Sequence, residues 1–193
     1  QSYEASDPTV KSQVVELKAS GADTFFSATI GKHATQAIVA AWELGWRPRY
    51  YAAVSATPKI AILQPAGLEK AVGMITAYYA KDPTIARWQN DAAVLDYWTW
   101  GKKYYDSDPT DGIATYGYQV AQVMEYILRK CGDDLTRENV MRVATGMQNV
   151  KFPLLVPGVT VNTSPTDYHP IDQFELLRFN GDSWDAISEV TRP

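Results

Sequence analysis

Three clusters of small, hydroxyl-bearing or aromatic residues have the types and spacing to hold a small polar ligand. The first is Ser27, Ala28, Thr29 and Gly31, the second Val54, Ser55, Ala56 and Thr57, the third Tyr78 and Tyr79. Each follows a short apolar run. The first two precede helical patterns whose leading N–H groups find no partner inside the helix. Serine and threonine hydroxyls beside such groups hydrogen-bond ligand atoms without filling a cleft, and tyrosine adds an apolar face with one polar tip. Taken singly, each residue has a plainer role, Ser55 and Thr57 as helix caps and Tyr78 as packing. Their convergence at one sheet edge is what points to binding.

Catalytic and metal chemistry find little support. The sequence has no G-x-S-x-G elbow, no G-x-G-x-x-G and no G-x-x-x-x-G-K. His33 stands at a helix start and His169 in a proline-flanked loop, and ordinary capping or surface positions explain both. Asp106, Asp108 and Asp111 alternate with small residues, but the bidentate Glu of a calcium loop is missing, and a solvated capping turn explains them. Cys131, before Gly132 at an expected helix end, reads as a small packing residue. The expectation is a protein that is not an enzyme and needs no cofactor or metal, a hydrolase ranking a distant third for want of a nucleophile with a base.

The elements that must position these clusters follow from periodicity. Asp7 and Pro8 are placed to open a helix with Val10, Val14 and Leu17 on one face, ended by Gly21. Thr24-Phe25-Phe26 is a buried strand. A second helix carries Ala34, Ala37, Ile38 and Ala41 on one face and stops at Gly45, with Pro48 beyond. Residues 49–54 form a second strand, a short helix runs toward Gln64, and residues 71–79 form a third strand. This alternation predicts a parallel α/β sheet, whose ligands bind at the carboxyl ends of strands. After the turn at Lys81-Asp82-Pro83-Thr84 come three helices: one from about Asn90 to Tyr105, one up to Cys131, one after Thr136. The turn Asp108-Pro109-Thr110-Asp111-Gly112 separates the first two. Val159 and Val161 alternate with polar neighbours as in a strand, and Asn180-Gly181 signals a terminal hairpin.

Composition sets the outer bounds. The 193 residues are 46% hydrophobic and 21% charged with a net charge of −4, which describes an ordinary globular chain with room for a core. No basic stripe exists, so no nucleic-acid partner is expected. No run of 18 apolar residues reads as a membrane-spanning helix. One cysteine permits no intrachain disulfide.

Several separated phrases carry a resemblance to a known family: DPTVKSQVVELKASGAD, QAIVAAWELGW, DPTDGIATYGYQVAQVMEYILRKCGDDLTRENV and PGVTVNTSPTDYHPIDQFELLRFNGDSW. The chain resembles the periplasmic solute-binding proteins of branched-chain amino acid type ABC transporters, over their C-terminal half only. The resemblance implies an α/β fold, a parallel three-layer sheet of a type I periplasmic-binding-protein lobe, plus helices and a C-terminal β-hairpin, in an incomplete two-lobed architecture. Residues 1–80 would be βα units of the second lobe, 81–172 helices and strand of the first, and 173–193 the hairpin returning to the second.

The resemblance further implies capture of a small organic ligand, an amino acid or an aromatic or aliphatic carboxylate, between two lobes. Delivery would be to ABC permease subunits, from the periplasm. A ligand-sensing domain of a receptor or transcription regulator is the alternative. Relatives often carry an aromatic after the first of these strands and, after the second, a carboxylate that holds the ligand's ammonium. Thr29-Ile30 and Val54-Ser55 stand at those positions here. An unpaired buried ammonium costs several kcal/mol, and roughly 1.4 kcal/mol is tenfold in affinity, so a ligand without an α-ammonium is expected. The stripes Val94-Tyr97-Trp98 and Tyr116-Val120-Val123-Ile127 look built to pack on strands outside this chain. The fragment is therefore expected to self-associate or to retain its missing N-terminal half.

Overall fold

The computed structural model describes residues 1–107 and 112–191. The chain divides into two compact units, Gln1–Tyr78 with Leu176–Glu189, and Tyr79–Glu175 with the residues from Val190 onward.

In the first unit, helix α1 (Lys11–Ala19) leads to strand β1 (Thr24–Ser27), helix α2 (Gly31–Glu43) and strand β2 (Arg49–Ala52). A stretch of short helical turns follows, including the single α-turn α3 (Gln64–Ala66), and leads to strand β3 (Ile75–Tyr78). β1 pairs with β2, and β2 with β3, both in parallel. Strands β4 (Glu175–Phe179) and β5 (Trp184–Ala186) extend the order to β1-β2-β3-β4-β5, β4 and β5 pairing antiparallel. The Thr76 hydroxyl adds a buried cross-strand bond of 2.9 Å to the Ala52 carbonyl.

The core of this unit follows from the small residues of α2. Ala37, Ala40 and Ala41 are buried in one cluster with Val10, Val14 and Phe25, and Trp46 and Tyr50 stack on Phe25 at 5.2 and 4.6 Å. Alanines at this spacing let a helix approach closely, so the large aromatics fill the remaining volume. Gly45, at φ +66°, ends α2 in a conformation that a side chain would strain.

The second unit holds helices α4 (Ala92–Tyr104), α5 (Gly112–Cys131) and α6 (Arg137–Ala144). Asp91 caps α4, its carboxylate accepting from the Ala93 N–H at 3.0 Å, and it also binds Lys81 Nζ at 2.7 Å. Thr136 caps α6. Ile127 and Cys131 are buried with Met147, Leu155, Val156, Val159 and Val161. Arg87 and the buried Glu175 form a two-pronged ion pair.

Several details differ from the sequence-based expectation. α1 begins at Lys11, because the Asp7 carboxylate accepts from the Glu4 N–H and its carbonyl is bound by His33. His33 itself is buried, neither a capping nor a surface residue. Val159 and Val161 form no strand, only a bridge from Val161 to Val150, since their side chains serve the α5 core. The hairpin loop spans four residues: the Asn180 side chain accepts from the Asp182 and Ser183 N–H groups, and only Gly181 takes a positive φ. Val94 and Tyr97 find cover within their own unit, buried against Leu154. Tyr116 and Val120 remain exposed while Ile127 is buried. The turn at Asp108 to Asp111 lies outside the described residues.

Burial raises the Asp91 carboxyl, but the hydrogen bond and charge of Lys81, with the N–H groups of Ala93 and Val94, outweigh it and hold the group below the usual carboxylate range. Its folded pKa thus lies below its unfolded one. The stability it contributes is complete above the unfolded value and is lost as pH falls through the folded one. Asp91→Ala should cost about 1–2 kcal/mol in denaturant melts at pH 7 by removing a cap and leaving Lys81 unpaired. The deficit should shrink in melts repeated at progressively lower pH.

Candidate functional site

Parallel pairing aligns the strand ends. Ser27 is level with Ala52, and Ala52 with Thr76, so the residues that follow each strand emerge at one edge. Thr29, Val54 and Tyr78 each stand two positions beyond this line. The structure therefore brings the first two clusters and Tyr78 to the same edge of the sheet. Tyr79 belongs to the second unit.

The first cluster is built from inside outward. Ser27 is buried, with its Oγ 2.8 Å from Thr29 Oγ1 and a further hydrogen bond to the Tyr50 phenol. Ala28 is exposed and Thr29 half-buried, so the chain rises from the core across these three residues. The Ile30 N–H donates to the Tyr3 hydroxyl at 3.1 Å, while the N–H groups of Gly31 and Lys32 have no partner among the described residues. His33 Nε2 donates to the Asp7 carbonyl at 2.8 Å, and its ring packs on Tyr3 at 4.7 Å. Tyr3 and His33 thus fasten the N-terminal segment to the start of α2. Sequence reasoning missed this tie, because no local signal links residues 30 positions apart.

The second cluster divides by direction. The Thr57 hydroxyl donates to the Val54 carbonyl at 2.7 Å, and Thr57 and Ala56 are both buried. These two shape the turn, while Val54 is half-buried and Ser55 faces outward. The Ala53 N–H donates to the Ser27 carbonyl at 2.9 Å, tying the second loop to the first. Neither loop, 27–31 or 53–57, contains an acidic residue.

Beside Ser27–Thr29 lies a cavity of about 340 Å³, walled by α1 residues Gln13, Val14 and Leu17, by Phe25, and by Gln1 to Tyr3. Its lining is mainly apolar and includes the hydroxyl residues Ser27 and Thr29, which suits an apolar body bearing a polar group. Tyr79 is half-buried, and burial, with a smaller contribution from Tyr116, raises its phenol above the ordinary value. His169 is exposed and bonds Asp167. Among the described residues no group of three His, Cys, Asp or Glu could hold a metal ion, and no helix is long and apolar enough to cross a membrane.

The sequence model of the family described as periplasmic binding protein matches residues 1–183, and the chain belongs to that family. Its fold is that of a type I periplasmic-binding-protein lobe, in partial form. Among solved structures, it is similar to a branched-chain amino acid ABC transporter from Thermus thermophilus with bound valine. There the TM-score is 0.81 at 15% identity, over 100% of this chain and 52% of that one. A leucine-binding protein from Thermotoga maritima matches with TM-score 0.71 at 16% identity, over 99% of this chain and 51% of its own. An extracellular ligand-binding receptor from Rhodopseudomonas palustris matches with TM-score 0.73 at 18% identity, over 96% and 54%. The chain thus spans about half the length of the solved structures it matches. No curated protein matches it in sequence.

Desolvation pushes the Tyr50 phenol up to about 12, against a smaller opposing effect of its bond with Ser27. The neutral phenol is therefore favoured in the fold, and its contribution is complete below the unfolded value near 10 and lost as pH rises toward 12. Tyr50→Phe should remove a late step from the alkaline spectrophotometric titration. It should also soften the decline in melting temperature above pH 10.

Proposed function

We propose that this chain is part of a non-catalytic solute-binding protein of an ABC importer, which captures a small organic ligand in the periplasm and passes it to a membrane permease. The observation that carries the reading is the alignment of three parallel strand ends, bearing Ser27–Thr29, Val54–Thr57 and Tyr78, with no acidic residue in either of the first two loops. Membership of the periplasmic binding protein family supports it. In this proposal residues 1–80 and 173–193 belong to one lobe and 81–172 to the other. Thr29, Ala28, Ser55, Tyr78 and Tyr79 meet the ligand, Ser27 and Val54 border it, and Ala56 and Thr57 hold the turn. Closure over the ligand requires that it touch both lobes, since only a difference in affinity between open and closed states shifts their balance.

The absence of a carboxylate at Val54-Ser55 favours a ligand with no α-ammonium. In calorimetry on a two-lobed protein containing this chain, benzoate or 2-methylbutanoate should bind more tightly than leucine. Thr29→Val should weaken the preferred acid by about tenfold. Tight leucine binding beside weak binding of amine-free acids would sink the ligand class.

α5 leaves Ile113, Tyr116, Val120, Met124 and Leu128 exposed along its length. Leaving a large apolar side chain in water forfeits roughly 1.5–3 kcal/mol, against a total domain stability of about 5–15 kcal/mol. We propose that the isolated chain covers this face by self-association, or by binding the other half of the protein as a separate polypeptide. Sizing with light scattering should show a dimer or larger species, or mass spectrometry a second peptide. A monodisperse, cooperatively melting monomer would count against it.

A further inference from the structure

A second cavity, of about 230 Å³, lies at the opposite end of the sheet from Ser27–Thr29, between the C-terminal end of α2 and the entry to β3. Two cations line it, Arg47 and Lys70, and no carboxylate does. The nearest acid in sequence to Arg47, Glu43, is paired with Lys11 at 3.1 Å.

Arg47 is held in place before any ligand arrives. Its Nη1 donates to the carbonyls of Ala41, Trp42 and Trp46 at 3.3, 3.1 and 3.1 Å, and its guanidinium carbon lies 3.9 Å from the Trp42 ring centroid. One end of the guanidinium is thus used by carbonyls at and just beyond the end of α2. The lateral edge, Nε with Nη2, has no partner among the described residues. That edge is the fork that takes a carboxylate through two parallel hydrogen bonds. Lys70, half-buried, has no ion-pair partner among the described residues. Ile38, Met74 and the Tyr50 ring also line the cavity.

We propose that this cavity is a second binding site, for a single-ring aromatic carboxylate. Arg47 and Lys70 take the carboxylate, and Ile38, Met74 and Tyr50 enclose the ring. The volume, below the roughly 300–1,000 Å³ usual for drug-sized ligands, limits the guest to one ring. The site is separate from the strand-end edge and does not rest on its ligand class.

The test is a titration of the full chain, labelled with ¹⁵N, using benzoate and its neutral counterpart benzamide. Benzoate should give saturable shifts at the Arg47 Nε–H, the Trp42 and Trp46 indole N–H groups and the amides of Gly73 and Met74. Lys70→Met should weaken binding about tenfold while leaving the rest of the spectrum in place. Arg47→Lys, which keeps the charge but loses the fork, should weaken it similarly. No saturable shift up to about 10 mM benzoate would overturn the proposal. So would equal shifts from benzamide, or binding indifferent to Lys70→Met. Benzoate shifts confined to Ala28–Ile30 would also overturn it while leaving the strand-end proposal intact.

Discussion

Three strands paired in parallel, with Ser27, Ala52 and Thr76 on one level, cannot be joined by tight turns. Each connection must run back along a face of the sheet, and the crossover must bury that face. The rest of the first unit answers to this requirement. α2 is rich in alanine because it lies close on the sheet, and Phe25, Trp46 and Tyr50 fill what the alanines leave. The same pairing sends every strand out at one edge, so residues far apart in sequence share a rim. Hydroxyl groups and free N–H groups meet there through backbone geometry alone.

The second unit depends more on part-buried ion pairs. Lys81 and Asp91 pair at 2.7 Å, and Glu175, almost wholly buried, is matched by Arg87, whose pKa desolvation lowers. Such pairs add little net stability over apolar packing, but losing one partner leaves a charge uncompensated. They therefore specify where the chain runs. Asp91 does so twice, as cap of α4 and as partner of Lys81.

The helices were legible because their signals are local. Val14, Ala37 and Ile127 fall on apolar stripes of helical period, Thr136 is a capping residue, and Gly21, Gly45 and Gly132 mark helix ends with positive φ. Errors arose where a local signal competed with a distant partner. Asp7 has the chemistry of a cap, yet its carbonyl serves His33 and its carboxylate Glu4. Val159 and Val161 alternate like a strand, yet they belong to the core beneath α5. Strand-end positions for the candidate site were readable from the order of elements. The directions of its side chains were not: Thr57 turns inward to its own loop and Ser55 outward, though both are hydroxyl residues of one turn.

By itself, then, the sequence determined most of the helices, the three parallel strands of the first unit and the lack of acids in the first two strand-end loops. Each of these depends on residues close together in the chain. Only the tertiary structure decided which hydroxyls remain available, that Tyr3 and His33 fasten the N-terminal segment to α2, and that Arg47 and Lys70 line one cavity. Those outcomes depend on which groups separated by tens of residues the fold brings together. A buried polar atom satisfied by such a partner is no longer free to bind anything else.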